Sequence, residues 1–133
     1  MRAFNAPTLG CFLATLTWSV PASADNAYSQ CIEGTSSNVE WAGCGEDFLQ
    51  RLDAALNAAW KRAKASVNAK SQKDLLKEQR AWVKFRDSSC VMWANGSYGR
   101  EGEVLHYFAC RARATEARIA DLNEIFTFMA EHQ

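Results

Sequence analysis

The chain is poor in what most active sites are built from. It has only two histidines, His106 and His132, and no pair of cysteines two residues apart, so neither a zinc site nor a histidine-centred base has the parts it needs. No β-branched alternating run of strand length occurs, which excludes a sheet as the organising element. No repeat or low-complexity tract is visible. The longest apolar run, Leu9 to Val20, is too short to cross a bilayer, which needs about 20 residues. Charge of one sign is missing as well. With 15 bases, 15 acids and neutral histidines the formal net charge is zero, so there is no electrostatic footprint for nucleic acid.

What the first residues do contain is a leader. MRAFNAPTLGCFLATLTWSVPASA carries Arg2, no acid, the apolar run, the helix-breaking Pro21 and then Ala22-Ser23-Ala24. This is the layout of a secretory signal cleaved after Ala24, and it predicts a periplasmic or secreted protein. Cys11 lies ahead of most of the apolar run, so it is not placed for lipid attachment. Removing residues 1–24 takes away one base and no acid, leaving 14 bases against 15 acids and a net charge of −1. Residues 25–133 then form one small domain, with no membrane insertion after processing.

Four cysteines remain: Cys31, Cys44, Cys90 and Cys110. An even number in a small exported chain reads as two disulfides, and four cysteines allow three pairings. Nearest neighbours, Cys31–Cys44 and Cys90–Cys110, are preferred because each closes a segment that otherwise lacks a core. No cofactor and no metal is expected.

Asp25 to Val39 is polar and reads as an irregular arm tethered by Cys31. From Glu40, apolar residues return every three or four positions at Phe48, Leu52, Ala55, Leu56, Ala59, Trp60, Ala63 and Val67, which predicts an amphipathic helix. Asn68 to Ser71 interrupts it. A second helix is expected over Gln72 to Trp93, with Leu75 or Leu76, Gln79, Trp82, Val83, Arg86, Cys90 and Trp93 facing inward. Ala94 to Gly102 has three glycines and no apolar period, so it breaks the pattern. A third helix starts near Glu103 and runs through Phe108, Ala112, Thr115, Ile119, Leu122, Ile125 and Phe126. The fold class is therefore all-α: an antiparallel three-helix bundle with an N-terminal disulfide-tethered arm and a disulfide-closed loop between the second and third helices.

The stretch QRAWVKFRDSSC, Gln79 to Cys90, puts polar groups on the inward stripe. A buried guanidinium needs an acid, and Asp53 or Glu116 could supply one to Arg86; Asp87 points about 100° away on the helix. Asp53, Gln79, Trp82, Arg86 and Arg118 thus read as a structural polar core that fixes helix register. No nucleophile or base accompanies them, so the chain is not read as an enzyme and no catalytic residue is assigned.

These residues resemble a family. Asp53, Leu56-Asn57 and Trp60, then Gln79, Trp82, Arg86-Asp87 and Cys90, then Gly96-Ser97, Cys110, Thr115, Arg118 and Leu122 are similar to the signature of the LprI-like lysozyme inhibitors of the periplasm, with Cys31 and Cys44 upstream. The resemblance covers residues 31 to 122. Two departures are Trp60 in place of the usual Tyr and the missing lipid-attachment box. The resemblance implies a disulfide-stapled envelope protein whose partner is a lysozyme-type hydrolase. The expected binding surface is the loop: Asn95, Gly96, Ser97, Tyr98, Arg100 and Glu101, which would occlude the hydrolase cleft. The alternative is an immunity or interaction protein against another envelope toxin or hydrolase, using exposed aromatics such as Trp41 and Phe128 on a flatter helix face.

Overall fold

A computed structural model describes residues 23–132. The expected leader, residues 1–24, lies outside them except for its last two positions. Among the described residues every regular element is helical. Helix α1 spans Ser23–Glu33, α2 Asn38–Ser66 and α3 Ala69–Cys90. A 3-10 turn, Val91–Ala94, follows, then the single turn α4, Gly99–Glu101. A π-helical stretch, Gly102–His106, leads into α5, Tyr107–Glu131.

Local chemistry sets the boundaries. Ser37 caps α2: its Oγ accepts from the Glu40 N–H at 3.3 Å and donates to the Glu40 carboxylate at 2.6 Å. That reciprocal pair satisfies an orphan donor of the first turn. Asn68 plays the same part for α3, its Oδ1 accepting from the N–H groups of Lys70 and Ser71, each at 3.0 Å. The interruption expected at 68–71 is instead the two residues Val67 and Asn68, because the asparagine caps the next helix and residues 69–71 already form its first turn.

The expected irregular arm at 25–39 is corrected: most of it is α1. Its sequence has too little apolar content to announce a helix, and tertiary contacts stabilise it instead. Tyr28 stacks on Phe48 at 4.8 Å, and Cys31 is bonded to Cys44 with a Cα–Cα distance of 5.8 Å. Trp41 closes the α1–α2 corner by donating from Nε1 to the Thr35 carbonyl at 3.3 Å.

Contacts fix the course of the long helices. Gly45 lies against Phe108, Phe48 and Leu52 share a cluster with Ala112, and Arg62 donates to Asn123 at 2.9 Å. Residue numbers rise together in these pairs, so α2 and α5 run parallel. They form the closest pair in the fold. Gly45 makes that possible, since a Cβ there would stand 2.4 Å from the Phe108 ring. Across α3 the numbers run in opposition: Arg86 meets Asp53, Gln79 meets Arg118, and Cys90 is bonded to Cys110. α3 therefore lies antiparallel to both and packs on them less closely.

The core has two clusters. Leu56, Ala59, Ala63 and Leu122 are buried together, with Trp60, Leu75, Trp82, Ile119 and Ile125 packed around them; Phe48, Leu52 and Ala112 form the second. Small residues at 59 and 63 let α5 approach, and removal of these side chains from water is the main source of stability, about 25 cal/mol per Å² of apolar surface. Two expected inward positions are corrected: Ala55 and Phe126 are exposed, because the α2–α5 contact is narrower than the apolar stripe of either helix.

Candidate functional site

Two regions carry the polar chemistry. The first is a ladder of arginines between α2, α3 and α5, centred on Trp82. Arg118, only 5 % exposed, donates from Nε to Gln79 Oε1 at 2.8 Å and grips the Glu78 carboxylate with both terminal nitrogens. Arg86, 8 % exposed, reaches Asp53 at 3.2 Å through Nη1 and Asp87 at 3.0 Å through Nε. The guanidinium carbons of both lie over the Trp82 ring, at 5.2 Å for Arg86 and 6.0 Å for Arg118. Charge, planarity and aromatic face are thus used together, as arginine allows and lysine does not.

The sequence reading is corrected on Arg86's partners. Asp53 is one of them, but Glu116 is exposed and takes no part. Asp87 is the other, because the arginine side chain folds back along its own helix and presents Nε to its neighbour. Asp87 also accepts from Arg111 at 3.2 Å, and Arg111 donates to the Tyr107 hydroxyl at 2.7 Å. Glu78, Asp87 and Arg111 were missed. Charge counting could have found the acids: two inward arginines need at least two carboxylates, and Asp53 is one.

Asp53, Asn57, Trp60, Gln79 and Arg86 line an open groove of about 350 Å³ between α2 and α3, with Leu56, Leu76 and Val83. Arg86 is therefore at a groove wall and not in a sealed core. Asp53, 53 % exposed, stands at its lip. Both arginines hold carboxylates already, and neither a nucleophile nor an imidazole faces the groove. The arrangement is suited to fixing register between helices, where loss of one partner would strand a buried charge.

The second region is the 94–102 tip, which sits where α3 ends and is closed at its base by Cys90–Cys110, Cα–Cα 5.7 Å. It is a tight knuckle and not an extended loop. Asn95 Oδ1 accepts from the Ser97 N–H at 2.9 Å, and the Gly99 N–H donates to the Gly96 carbonyl at 3.2 Å. Gly96 and Gly99 take φ of +85° and +64°, left-handed backbone that side chains disfavour. Tyr98 packs on Trp93 with ring centroids 4.7 Å apart, while Trp93 meets His106 at 4.9 Å. The inward-facing Trp93 of the sequence reading is thus half-buried under the tip.

Asn95, Gly96, Ser97, Tyr98, Arg100 and Glu101 are brought together on one exposed end of the molecule. They are not equally free. Arg100 Nη1 is paired with Glu103 at 2.6 Å, so its charge is partly met within the tip itself. Tyr98 keeps half its surface in solvent despite its tilted contact with Trp93.

Such a molecule belongs to the class of small helical domains cross-linked by disulfides. Among the described residues no helix is long and apolar enough to cross a membrane, and no cluster of His, Cys, Asp and Glu is placed to hold a metal ion. The family model for lysozyme inhibitor LprI matches residues 30–122, and the chain belongs to that family. The family is one of inhibitors, not of enzymes. The chain is also 27 % identical over 138 residues to an uncharacterized protein, R02472, of Rhizobium meliloti (strain 1021), with 94 % of this chain and 96 % of that protein covered. No solved structure matches.

Proposed function

We propose that this protein is an exported inhibitor of lysozyme that acts by placing the 94–102 tip in the hydrolase cleft. The observation that carries the reading is the tip's shape: an exposed knuckle with Tyr98 half in solvent, restrained by a disulfide, two left-handed glycines and a tilted aromatic contact. A surface ordered before binding loses little conformational entropy on binding. Tyr98 offers rigid amphipathic area, and Ser97 with the Asn95 amide offers hydrogen bonds to the pair of carboxyl groups that a lysozyme needs for catalysis. Two disulfides fit an oxidising compartment outside the cytosol, which supports export.

The test is clearing of a cell-wall suspension by lysozyme with and without the protein. The wild type slows clearing, and Tyr98→Ala weakens inhibition by tenfold or more, since a central tyrosine anchor is worth at least about 1.4 kcal/mol. Full lysozyme activity at a large molar excess of the wild type rejects the function. Full inhibition by Tyr98→Ala rejects the tip.

The second reading, an immunity or interaction protein for another envelope hydrolase, is favoured by Phe126 and Phe128, both exposed on the last turns of α5. Trp41 does not serve it, being engaged at the α1–α2 corner. Binding of a non-lysozyme envelope hydrolase that is lost with Phe128→Ser and kept with Tyr98→Ala would select this reading.

A further inference from the structure

The outward side of α3 carries Lys73, Lys77, Arg80 and Lys84, spaced four, three and four residues apart, so all four share one face over roughly 16 Å of helix. All four are exposed, and none has an ion pair among the described residues. The acids of the same helix are spent elsewhere. Asp74 holds Lys70, Glu78 holds Arg118, and Asp87 holds Arg86 and Arg111. The face therefore bears four uncompensated positive charges in a chain whose net charge is zero. Like charges three and four apart oppose helix formation, so this arrangement costs stability until a negative surface meets it.

A second feature says what kind of negative surface. The stripe borders a shallow hollow of about 380 Å³ floored by Leu76 and Ala81. Phe85, 64 % exposed, flanks this stripe about 100° around the helix from Lys84, and Val91 and Met92 are exposed just past the end of the helix. A free polyanion in water has no use for bare phenylalanine and methionine. A bilayer surface does, because its phosphates take the cations while the headgroup boundary takes the apolar side chains. We infer that the α3 face docks the protein, without insertion of a helix, on membranes rich in anionic phospholipid.

The test is co-sedimentation of the full chain with vesicles of phosphatidylcholine, with or without added phosphatidylglycerol. Residues 1–22 are common to all variants, so the differences between variants report α3 alone. Binding is expected to need phosphatidylglycerol and to weaken in high salt. Lys77→Gln/Arg80→Gln is expected to bind about 25-fold more weakly, roughly fivefold for each cation removed. Phe85→Ser lowers affinity while leaving the salt dependence unchanged. Equal partitioning of the Lys77→Gln/Arg80→Gln variant overturns the inference. So does an unaltered Phe85→Ser variant, which would mark the stripe as a site for soluble polyanions. Clearing of cell walls by lysozyme reads the tip independently and should not distinguish these variants from the wild type.

Discussion

Replacing both Cys90 and Cys110 by alanine separates what the cross-link does for the fold from what it does for the tip. The closed segment has a sequence separation of 20, and in the chain-entropy model its release gives the unfolded state about 11 cal/mol/K, or about 3 kcal/mol at room temperature. Cys90 is fully buried, so a small cavity adds to this. For a domain near 100 residues that loss lowers Tm by roughly 12 to 20 °C, readable by far-UV circular dichroism. At a temperature where the variant is still folded, the tip must be ordered by the partner at the moment of binding. Inhibition in the clearing assay should then weaken by about tenfold for each 1.4 kcal/mol of ordering moved to that step. The matched control is Cys31→Ala/Cys44→Ala, which opens a segment of separation 13, loses a similar stability and leaves the tip alone. If both double variants melt early and inhibit equally well, restraint of residues 94–102 has no part in binding.

Three further outcomes are expected. Leu122 is fully buried between α2 and α5, so Leu122→Ala should lower unfolding free energy by about 3 kcal/mol in urea titration, with an unchanged slope against denaturant. Gly45→Ala places a methyl 2.4 Å from the Phe108 ring and should cost about 1 to 3 kcal/mol; Phe108→Leu in that background should restore part of it. Burial raises the pKa of Tyr28 above its ordinary 10.0. The folded state then holds its proton more tightly than the unfolded state, so stability is intact below pH 10 and falls as pH rises beyond it. Tyr28→Phe should flatten that alkaline limb in pH-dependent melting.

The long helices were legible because their apolar residues repeat at helical spacing, and the cysteine pairs because each closes a short segment. α1 was not, since a short polar helix held by one disulfide and the Tyr28–Phe48 stack leaves no periodic trace. The knuckle at 94–102 reads in sequence only as a disulfide-closed loop. Its glycines mark positive φ equally well in a loose segment and in a tight one, and the Trp93–Tyr98 contact joins residues whose rings only meet once the turn has formed. The π-helical stretch at Gly102–His106 has no sequence signal of its own. Of the ladder, the arginines were visible as polar residues on an inward stripe. Their partners were harder, because a long flexible side chain chooses among acids by reach and not by helical angle, as Asp87 shows.

Both cross-links lie at the same pole of the molecule, where α2 and α5 begin and α3 ends. The other pole, with the Ser66–Ala69 corner and the last turns of α5, has no covalent link among the described residues and is held by side-chain packing and by hydrogen bonds such as Arg62–Asn123 and Gln72–Val67. Opening fluctuations should therefore start there, so that a protease nicks the exposed bonds around Lys64 and Lys70 long before it reaches the knotted end. A cut there leaves two fragments with one disulfide each and no covalent bond between them, so the core shared by α2 and α5 is lost with it.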